Sequence, residues 1–353
     1  MAANNRIFYA VQAVKVKPCR SVNGSYTYGS ESILKGIQSV GMTTNFNLEQ
    51  VYQLGQLELY DNVEEVPDIE VTLNKVLDGT RLVYNLALDG NVANSSDNLT
   101  LTEISDRRCD VALGIWDDTA TGASGAAKYY VVCTGMYVSS VSYNFTSDGN
   151  FTEDVTLVGN HKKWGLTGGG GIGGFSTGLV DSGDQTKRVS KRWSFSKTDS
   201  VLPSGSGGIP GSFAAGSGLH VNSVTLSCNL GREAINELGK RSPYYRYIQF
   251  PVEITSEIEI TATEGDQVDA DDFESATGCS AASKSNLTNK SIKVAVCDAN
   301  NADGSIDYMI DLGSKNKLTS VNYTGGDTGG GNATITYSFQ TFNTFKVSGV
   351  AAS

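Results

Sequence analysis

Two stretches of the sequence decide the fold, because one repeats the other. Residues 39–55 read SVGMTTNFNLEQVYQLG, and residues 223–239, which begin 184 positions later, read SVTLSCNLGREAINELG without a gap. Ser, Val, Asn, Glu, Leu and Gly recur at matching positions, and Met/Leu, Phe/Leu, Thr/Ser and Val/Ile exchange side chains of similar character. The chain therefore contains an internal repeat with a long period.

Further matches follow in the same order along both halves. They are Tyr60 with Tyr244, Pro67 with Pro251, Glu70-Val71-Thr72 with Glu253-Ile254-Thr255, and Ser140-Val141-Ser142-Tyr143 with Ser320-Val321-Asn322-Tyr323. Several ordered matches are unlike a chance similarity, so we interpret the chain as a duplicated domain. We expect a first domain over 1–164, a linker over 165–190 that contains the run Gly168–Gly174, and a second domain over 191–353.

The repeated stretch alternates apolar and polar residues with a period of two. Val40, Met42, Thr44 and Phe46 fall on one face in the first copy, and Val224, Leu226, Cys228 and Leu230 do so in the second. Such alternation indicates a strand with one buried face, and the shared phase indicates shared packing. After the strand, Asn47 can cap a short helix with Leu48, Val51 and Tyr52 on one side and Gly55 at its end, and the second copy ends likewise at Leu238-Gly239.

Strands are expected again after this predicted helix. Asp68–Asn74 places Ile69, Val71 and Leu73 on one face, and Val252–Ile260 does the same with Ile254, Ile258 and Ile260. Asp148-Gly149 between two alternating runs predicts a hairpin. The expected fold class is mainly β, with two tandem β-sandwich or barrel domains, each carrying one short flanking helix.

Composition limits the function classes. The chain has 353 residues, with 38 acidic and 27 basic residues, a formal charge of −11 and 40 glycines. It is too apolar for a disordered chain, and no run approaches the roughly 20 apolar residues of a membrane helix. A DNA-binding protein held by net positive charge is excluded. The first residues show no signal-peptide pattern, so we expect synthesis in the cytoplasm, and a porin is disfavoured.

Motifs for catalysis are weak. The run Gly168, Gly170, Gly173 matches a dinucleotide fingerprint but lacks the following helix, and the acidic loops near Asp298 and Asp266 lack the ligand spacing of a calcium loop. Neither His161 nor His220 neighbours a nucleophile motif, although acids distant in sequence could still meet as a glycosidase pair. Cysteines without close spacing are expected to be reduced, several of them as small apolar core residues. We therefore expect no enzyme activity, no cofactor and no metal.

One basic run contains an aromatic residue. It comprises Lys187, Arg188, Lys191 and Arg192, followed by Trp193. In an acidic chain these cations fit an acidic surface of a neighbouring subunit better than nucleic acid, so an intersubunit role is the favoured hypothesis.

Residues 36–55 followed by Val66–Leu73 resemble the tail tube proteins of tailed bacteriophages. The resemblance covers most of the chain as two copies, although Arg232 in the second copy stands where the first has Leu48. It implies a virion structural protein, assembled in the host cytoplasm, whose copies form stacked rings that make the conduit for genome ejection. The duplicated form implies three chains in a pseudo-sixfold ring. Its implied partners are itself and other tail proteins, with a sheath as one option, and no membrane.

A conduit for DNA should not bind its cargo, because each phosphate neutralised by a cation adds affinity. We hypothesise that the polar strand faces line the lumen through Asp68, Glu70, Glu253, Glu257 and Glu259, so that DNA slides past without specific binding. The alternative is that these acids face the outer solvent. Alternative functions are a baseplate or tail-terminating protein with the same domain, or a β-sandwich carbohydrate-binding protein or hydrolase.

Overall fold

The computed structural model describes most of the chain, and its described residues are 7, 12–22, 25–88, 100–117, 127–165, 189–204, 208–211, 213, 218–268, 287–297, 306–326, 328 and 330–349. In chain order the strands are β1 (Gln12–Val22), β2 (Ser25–Tyr28), β3 (Ser32–Ile33), β4 (Ile37–Asn45), β5 (Leu48–Tyr52), β6 (Leu59–Glu64), β7 (Asp68–Val76), β8 (Arg108–Ile115), β9 (Tyr129–Thr146), β10 (Thr152–Gly159), β11 (His161–Gly165), β12 (His220–Asn229), β13 (Arg232–Ile235), β14 (Tyr245–Ile248), β15 (Glu253–Thr261), β16 (Lys293–Cys297), β17 (Ile306–Asp311), β18 (Lys317–Thr324), β19 (Thr334–Phe342) and β20 (Lys346–Ser348). Helix α1 (Val83–Leu88) lies between β7 and β8, and a short 3-10 turn covers Arg192–Ser194. The predicted mainly-β class is confirmed.

One antiparallel sheet runs through both halves of the chain. Its strands follow the order β18-β19-β15-β12-β9-β10-β7-β4. The second half supplies the first four of these strands, and the first half supplies the last four. Repeat-related strands hold the same place in each set: β12 corresponds to β4, β15 to β7, β19 to β10, and β18 to the end of β9. The two four-stranded units therefore follow one another head to tail.

The two units also share a local irregularity. In the first, the pairing of β9 with β10 skips Ser139, and in the second the pairing of β18 with β19 skips Thr319. A bulge of this kind bends the strand and increases its twist. Its recurrence at matching places shows that the repeat in sequence is also a repeat in backbone geometry.

Each half adds a smaller sheet. In the first, β8, the start of β9, and β11 are neighbours, with β1 on the outer side of β8. In the second, β16, β17 and β20 are neighbours in the same order. Glycines stand where the chain passes from the small sheet to the large one. Gly135 inside β9 has φ +66°, and Gly313 between β17 and β18 has φ +70°, a region that L side chains seldom adopt.

The core lies on one face of the large sheet, as the alternation predicts. Ile69, Val71 and Leu73 of β7 are buried, and so are Ile254, Ile258 and Ile260 of β15. Helix α1 packs against the first half's sheets, and Tyr84 at its start meets the ring of Phe345 edge to face, 5.7 Å between centroids. Burying a large apolar side chain such as Phe345 contributes about 1.5–3 kcal/mol to the free energy of unfolding.

The predicted helices after β4 and β12 are wrong. Residues 48–64 form the hairpin β5–β6, and residues 232–248 form the hairpin β13–β14. Six or seven residues are too few for a helix that has no core to pack on, whereas Val, Tyr and Ile favour strands. Gly55 and Gly239 stand in the hairpin loops with φ +89° and +88°. The glycines thus serve turns rather than helix ends.

The sequence alignment after the hairpins also needs correction. β4 pairs Thr44 with Ile69, and β12 pairs Cys228 with Ile254. Ile254 is therefore the counterpart of Ile69, and Thr255 is the counterpart of Glu70, two positions beyond the predicted match to Glu253. Because a shift of two residues preserves the face of a strand, the predicted buried and exposed sets survive.

The predicted linker 165–190 falls almost entirely outside the described residues, so the domain boundaries stay a prediction. The two halves nevertheless meet directly, because β12 pairs with β9 over seven residue pairs from Ser223↔Thr146 to Asn229↔Ser140. This internal junction joins the two units into one sheet.

Candidate functional site

The candidate site consists of the two ends of the large sheet. Within the described ranges, β4 pairs with β7 alone, and β18 pairs with β19 alone. Each therefore presents one row of backbone N–H and C=O groups without a strand neighbour there. Exposed edges of this kind are templates for pairing with another chain.

The internal junction pairs the same two types of strand that stand at the two ends of the sheet. There β12, the counterpart of β4, pairs with the end of β9, the counterpart of β18. The two strand types that meet inside the chain are thus the two types that stand free at its ends. An interface between two different surfaces propagates from copy to copy, into a ring if the rotation closes and into a filament otherwise.

Equivalent side chains are less buried at the free edges than at the internal junction. Tyr143 on β9 is fully buried at the internal junction, whereas its counterpart Tyr323 on β18 is 51% exposed. Leu226 on β12 is fully buried, whereas its counterpart Met42 on β4 is only partly buried. The core-facing row of the sheet therefore continues to both edges with apolar side chains that stay partly uncovered.

The structure places the predicted lumen acids on one face of this sheet, opposite the core. Asp68, Glu70, Glu253 and Glu257 are exposed, and Glu259 is partly buried. The same face carries neutral polar side chains from neighbouring strands, among them Ser142, Asn144, Thr225 and Ser227. The alternation of side chains along the paired strands brings these acids to a common surface.

Asp68 differs from the other four acids. Its Oδ1 accepts a hydrogen bond of 3.1 Å from the guanidinium of Arg246, and its Oδ2 accepts one of 3.0 Å from the side-chain amide of Asn47. Asp68 therefore helps to hold the hairpin β13–β14 onto the first half. It adds less free negative charge to the face than Glu70 or Glu257.

Sequence reasoning missed one acid of this face. Asp154 on β10 is exposed, and its Oδ1 accepts a 2.6 Å hydrogen bond from the side-chain amide of Asn74 on β7. The alternation in Thr152–Leu157 carries the signal, because it puts Val155 and Leu157 inward and Asp154 outward. Glu153 occupies an inward position but is charged, so the sequence does not show a clear alternation of apolar and polar residues there.

The basic cluster can be placed only in part. Lys187 and Arg188 lie outside the described residues. Lys191 is partly buried and caps the short turn Arg192–Ser194, where the Ser194 N–H donates to its carbonyl at 2.7 Å. Arg192 and Trp193 are exposed. The intersubunit role of this cluster stays a hypothesis.

The described cysteines and His161 lie in surroundings typical of structural rather than reactive side chains. Cys19, Cys109, Cys133 and Cys228 are buried and unpaired, as expected, and Cys279 lies outside the described residues. Burial raises the pKa of Cys133 to about 11 and that of Cys228 to about 12, which keeps both as unreactive thiols. His161 Nδ1 lies 2.8 Å from Thr134 Oγ1 on the neighbouring strand.

The described residues lack two further kinds of feature. They contain no group of three or more His, Cys, Asp or Glu side chains that could hold a metal ion. In the same residues, no helix has the length and apolar character needed to cross a membrane.

Comparison with known proteins leaves the sheet geometry as the guide to function. No protein-family model matches the chain, and no curated protein is significantly similar to it.

Proposed function

We propose that this protein is a structural subunit that joins its own copies edge to edge into rings, and that stacked rings form the tail tube of a tailed bacteriophage. The observation that carries the proposal is the internal junction, because β12 and β9 already form within one chain the pairing that β4 and β18 are shaped to form between chains. The resemblance of residues 36–55 and 66–73 to tail tube proteins supports the same assignment.

The internal register defines the register between copies. Cys228 pairs with Val141 and Leu226 with Tyr143 inside the chain. Carrying these pairs to their counterparts places Thr44 of one copy opposite Val321 of the next, and Met42 opposite Tyr323. Met42 then covers the exposed ring of Tyr323, as Leu226 covers Tyr143. Each added copy removes one free edge of its neighbour, and ring closure removes the last two.

The acidic face gives the ring its second property. In this proposal, the face with Glu70, Glu253, Glu257 and Glu259 lines the bore, where carboxylates repel the phosphate backbone and DNA passes without specific binding. With two units in each chain, three chains supply six equivalent lobes. The ring recruits other tail proteins at its ends, with no catalytic step.

Cysteine cross-linking tests the edge pairing. Opposed residues on antiparallel strands have Cα atoms about 4.5–5.5 Å apart, within the range that a disulfide spans. The variant Thr44→Cys/Val321→Cys should form disulfides between copies under mild oxidation. Non-reducing electrophoresis should show dimers and a closed trimer, and negative-stain microscopy should show rings with six lobes.

The matched control is Thr43→Cys/Val321→Cys. Thr43 lies one residue away on β4, so its side chain points to the opposite face of the sheet, and this pair should not cross-link. A wild-type protein that stays monomeric at millimolar concentration, or equal cross-linking of both pairs, would refute the proposed edge-to-edge assembly. Rings of six full chains would refute the trimer alone.

A further inference from the structure

The two hairpins of the repeat have the same register and opposite surroundings. Leu48 pairs with Glu64 in β5–β6, and Arg232 pairs with Ile248 at the matching position of β13–β14. β13–β14 is half buried because it lies on the first half of the chain. In β5–β6, ten of the 11 strand residues are exposed to solvent, and only Val51 is partly buried. Among the described residues, the strands of β5–β6 therefore leave an exposed surface where β13–β14 has a covered one.

The contacts of β13–β14 show how such a hairpin seats. Arg246 donates to Asp68 Oδ1 at 3.1 Å and to Asn160 Oδ1 at 3.0 Å, and Arg241 in the loop donates to the carbonyl of Glu64 at 3.0 Å. A cavity between the loop and the first half is lined by residues 239–242 on one side and by 64–67 and Asn160 on the other. The hairpin thus bridges the internal junction beside the β12–β9 pairing.

Apolar side chains stand at three positions of this contact in the other hairpin and its proposed receiving surface. Leu57 takes the place of Arg241 in the loop of β5–β6 and is fully exposed. On the receiving side, Phe250 takes the place of Val66, and Phe342 takes the place of Asn160. These rings are 42% and 49% exposed. An exposed leucine on the hairpin therefore matches two half-exposed phenylalanines at the place where the next copy would present them.

A second pair of counterparts has opposite charges. The ring of Tyr245 on β14 meets the ring of Tyr137 on β9 at 6.0 Å within the chain. Asp61 is the counterpart of Tyr245, and Lys317 is the counterpart of Tyr137, and both are exposed. The Tyr245–Tyr137 contact inside the chain thus corresponds to Asp61 and Lys317, which carry opposite charges near the two ends of the sheet.

From these correspondences we infer that the hairpin β5–β6 clasps the second half of the next copy of this chain, with Leu57 on Phe250 and Phe342 and with Asp61 beside Lys317. The inference rests on the proposed edge-to-edge assembly and adds a second contact to it. Inside the chain, β13–β14 is held by ionic and aromatic contacts. Between copies, β5–β6 would be held by apolar contacts and a carboxylate–lysine pair. Each hairpin therefore complements only its own binding surface. This difference disfavours assemblies in which a hairpin binds the surface that belongs to the other hairpin.

Charge reversal tests the clasp. Asp61→Lys and Lys317→Asp should each raise the protein concentration needed for half-maximal assembly roughly tenfold, because each brings like charges together at every junction between copies. The double variant Asp61→Lys/Lys317→Asp should restore assembly to within about twofold of wild type. Analytical ultracentrifugation over a concentration series gives these values.

Glu49→Lys is the matched control on the same hairpin. Its counterpart Glu233 stays exposed at the internal junction, so Glu49 should stay exposed between copies and its reversal should leave assembly unchanged. Leu57→Ser and Leu54→Ser form a second matched pair. Leu238, the counterpart of Leu54, is fully exposed beside the seated hairpin, so only Leu57→Ser should weaken the Thr44→Cys/Val321→Cys cross-link.

The outcomes separate this inference from the proposed function. If wild type assembles and the single reversals assemble equally well, the clasp is wrong while edge pairing stands. If the reversals weaken assembly and the double variant does not recover, the Asp61–Lys317 contact is wrong. If wild type and the cysteine pair show no assembly at all, the proposed function fails and the clasp fails with it.

Discussion

Lys75 and Glu153 lie directly opposite each other on β7 and β10, and both side chains are fully buried. Lys75 Nζ donates to the Lys35 carbonyl, to Asp78 Oδ1 and to Thr80 Oγ1 at 2.6–2.9 Å. The Glu153 carboxylate accepts from the backbone N–H groups of Val83 and Tyr84 at the start of α1 and from the Tyr143 hydroxyl. In the second half, the counterpart pair is Ile260 opposite Ile335.

This contrast predicts strong coupling between Lys75 and Glu153. We expect Lys75→Ile and Glu153→Ile each to lower the free energy of unfolding by about 3 kcal/mol, because Lys75→Ile leaves Asp78 and Thr80 without the ammonium group and Glu153→Ile leaves the N–H groups of Val83 and Tyr84 without their acceptor. The double variant, which copies the second half, should cost at least about 1.5 kcal/mol less than the sum of the two. Urea unfolding of the four proteins below the assembly concentration measures the cycle, and additive costs would show that the pair is uncoupled.

Glu153 also predicts a pH dependence of stability. Burial raises the pKa of Glu153 above its ordinary value of 4.5. The folded state then holds this proton at pH values where the unfolded state has lost it, so the contribution of Glu153 to stability falls as the pH rises above 4.5. Relative to wild type, Glu153→Gln should therefore gain stability with rising pH, by up to about 1.4 kcal/mol for each pH unit in that window. Urea unfolding from pH 4 to pH 7 measures it, and a constant difference would contradict the shift.

The strands were predictable from sequence because their alternation is local. The faces of β4, β7, β12 and β15 follow from it, and so does the common face of Glu70, Glu253 and Glu257. The hairpin β5–β6 was not predictable in this way. Leu48, Val51 and Tyr52 share one face of a helix, and the same short segment is also compatible with a strand. The partner strand Leu59–Glu64 decides between them, and it lies outside the window in which the pattern is read.

The sheet edges were beyond the reach of local pattern. Nothing in β4 or β12 itself distinguishes an edge strand from a central one, since both carry the same alternation. The difference comes from pairing between residues far apart in the chain, such as Ser223 with Thr146. Likewise, the burial of Glu153 depends on α1, whose N–H groups satisfy its carboxylate.

The position of Glu257 predicts how the acidic face reacts in assembled protein. If this face lines a bore, Glu257→Cys in a background with Cys279 and Cys297 replaced by serine should react with a small maleimide in tubes. A maleimide on a large polyethylene glycol chain should react at least about tenfold more slowly in tubes than in unassembled protein, because the chain loses conformational freedom in a narrow channel. Gel-shift kinetics measure both rates. Equal rates in the two states would place the face on the outer surface.

Arg232 predicts how the second hairpin is anchored. Its Nε donates to the Val138 carbonyl and its Nη1 to the Ser105 carbonyl, both at 2.7 Å, and burial lowers its pKa to about 10. Arg232→Leu leaves these partly buried carbonyls without the guanidinium donor and should cost about 3 kcal/mol. Arg232→Lys keeps the charge but lacks the planar fork, so it should recover only part of that loss.

The matched control for Arg232 is Leu48→Arg, which places the same side chain on the exposed counterpart hairpin and should change the stability of unassembled protein by less than about 0.5 kcal/mol. Urea unfolding gives the free energies for Arg232→Leu, Arg232→Lys and this control. Limited proteolysis should cut Arg232→Leu first between β13 and β14, because the hairpin loses its buried anchor while the Arg246–Asp68 contact stays half exposed. An Arg232→Leu protein as stable and as protease-resistant as wild type would show that the aromatic contacts of Tyr245 hold the hairpin without the guanidinium.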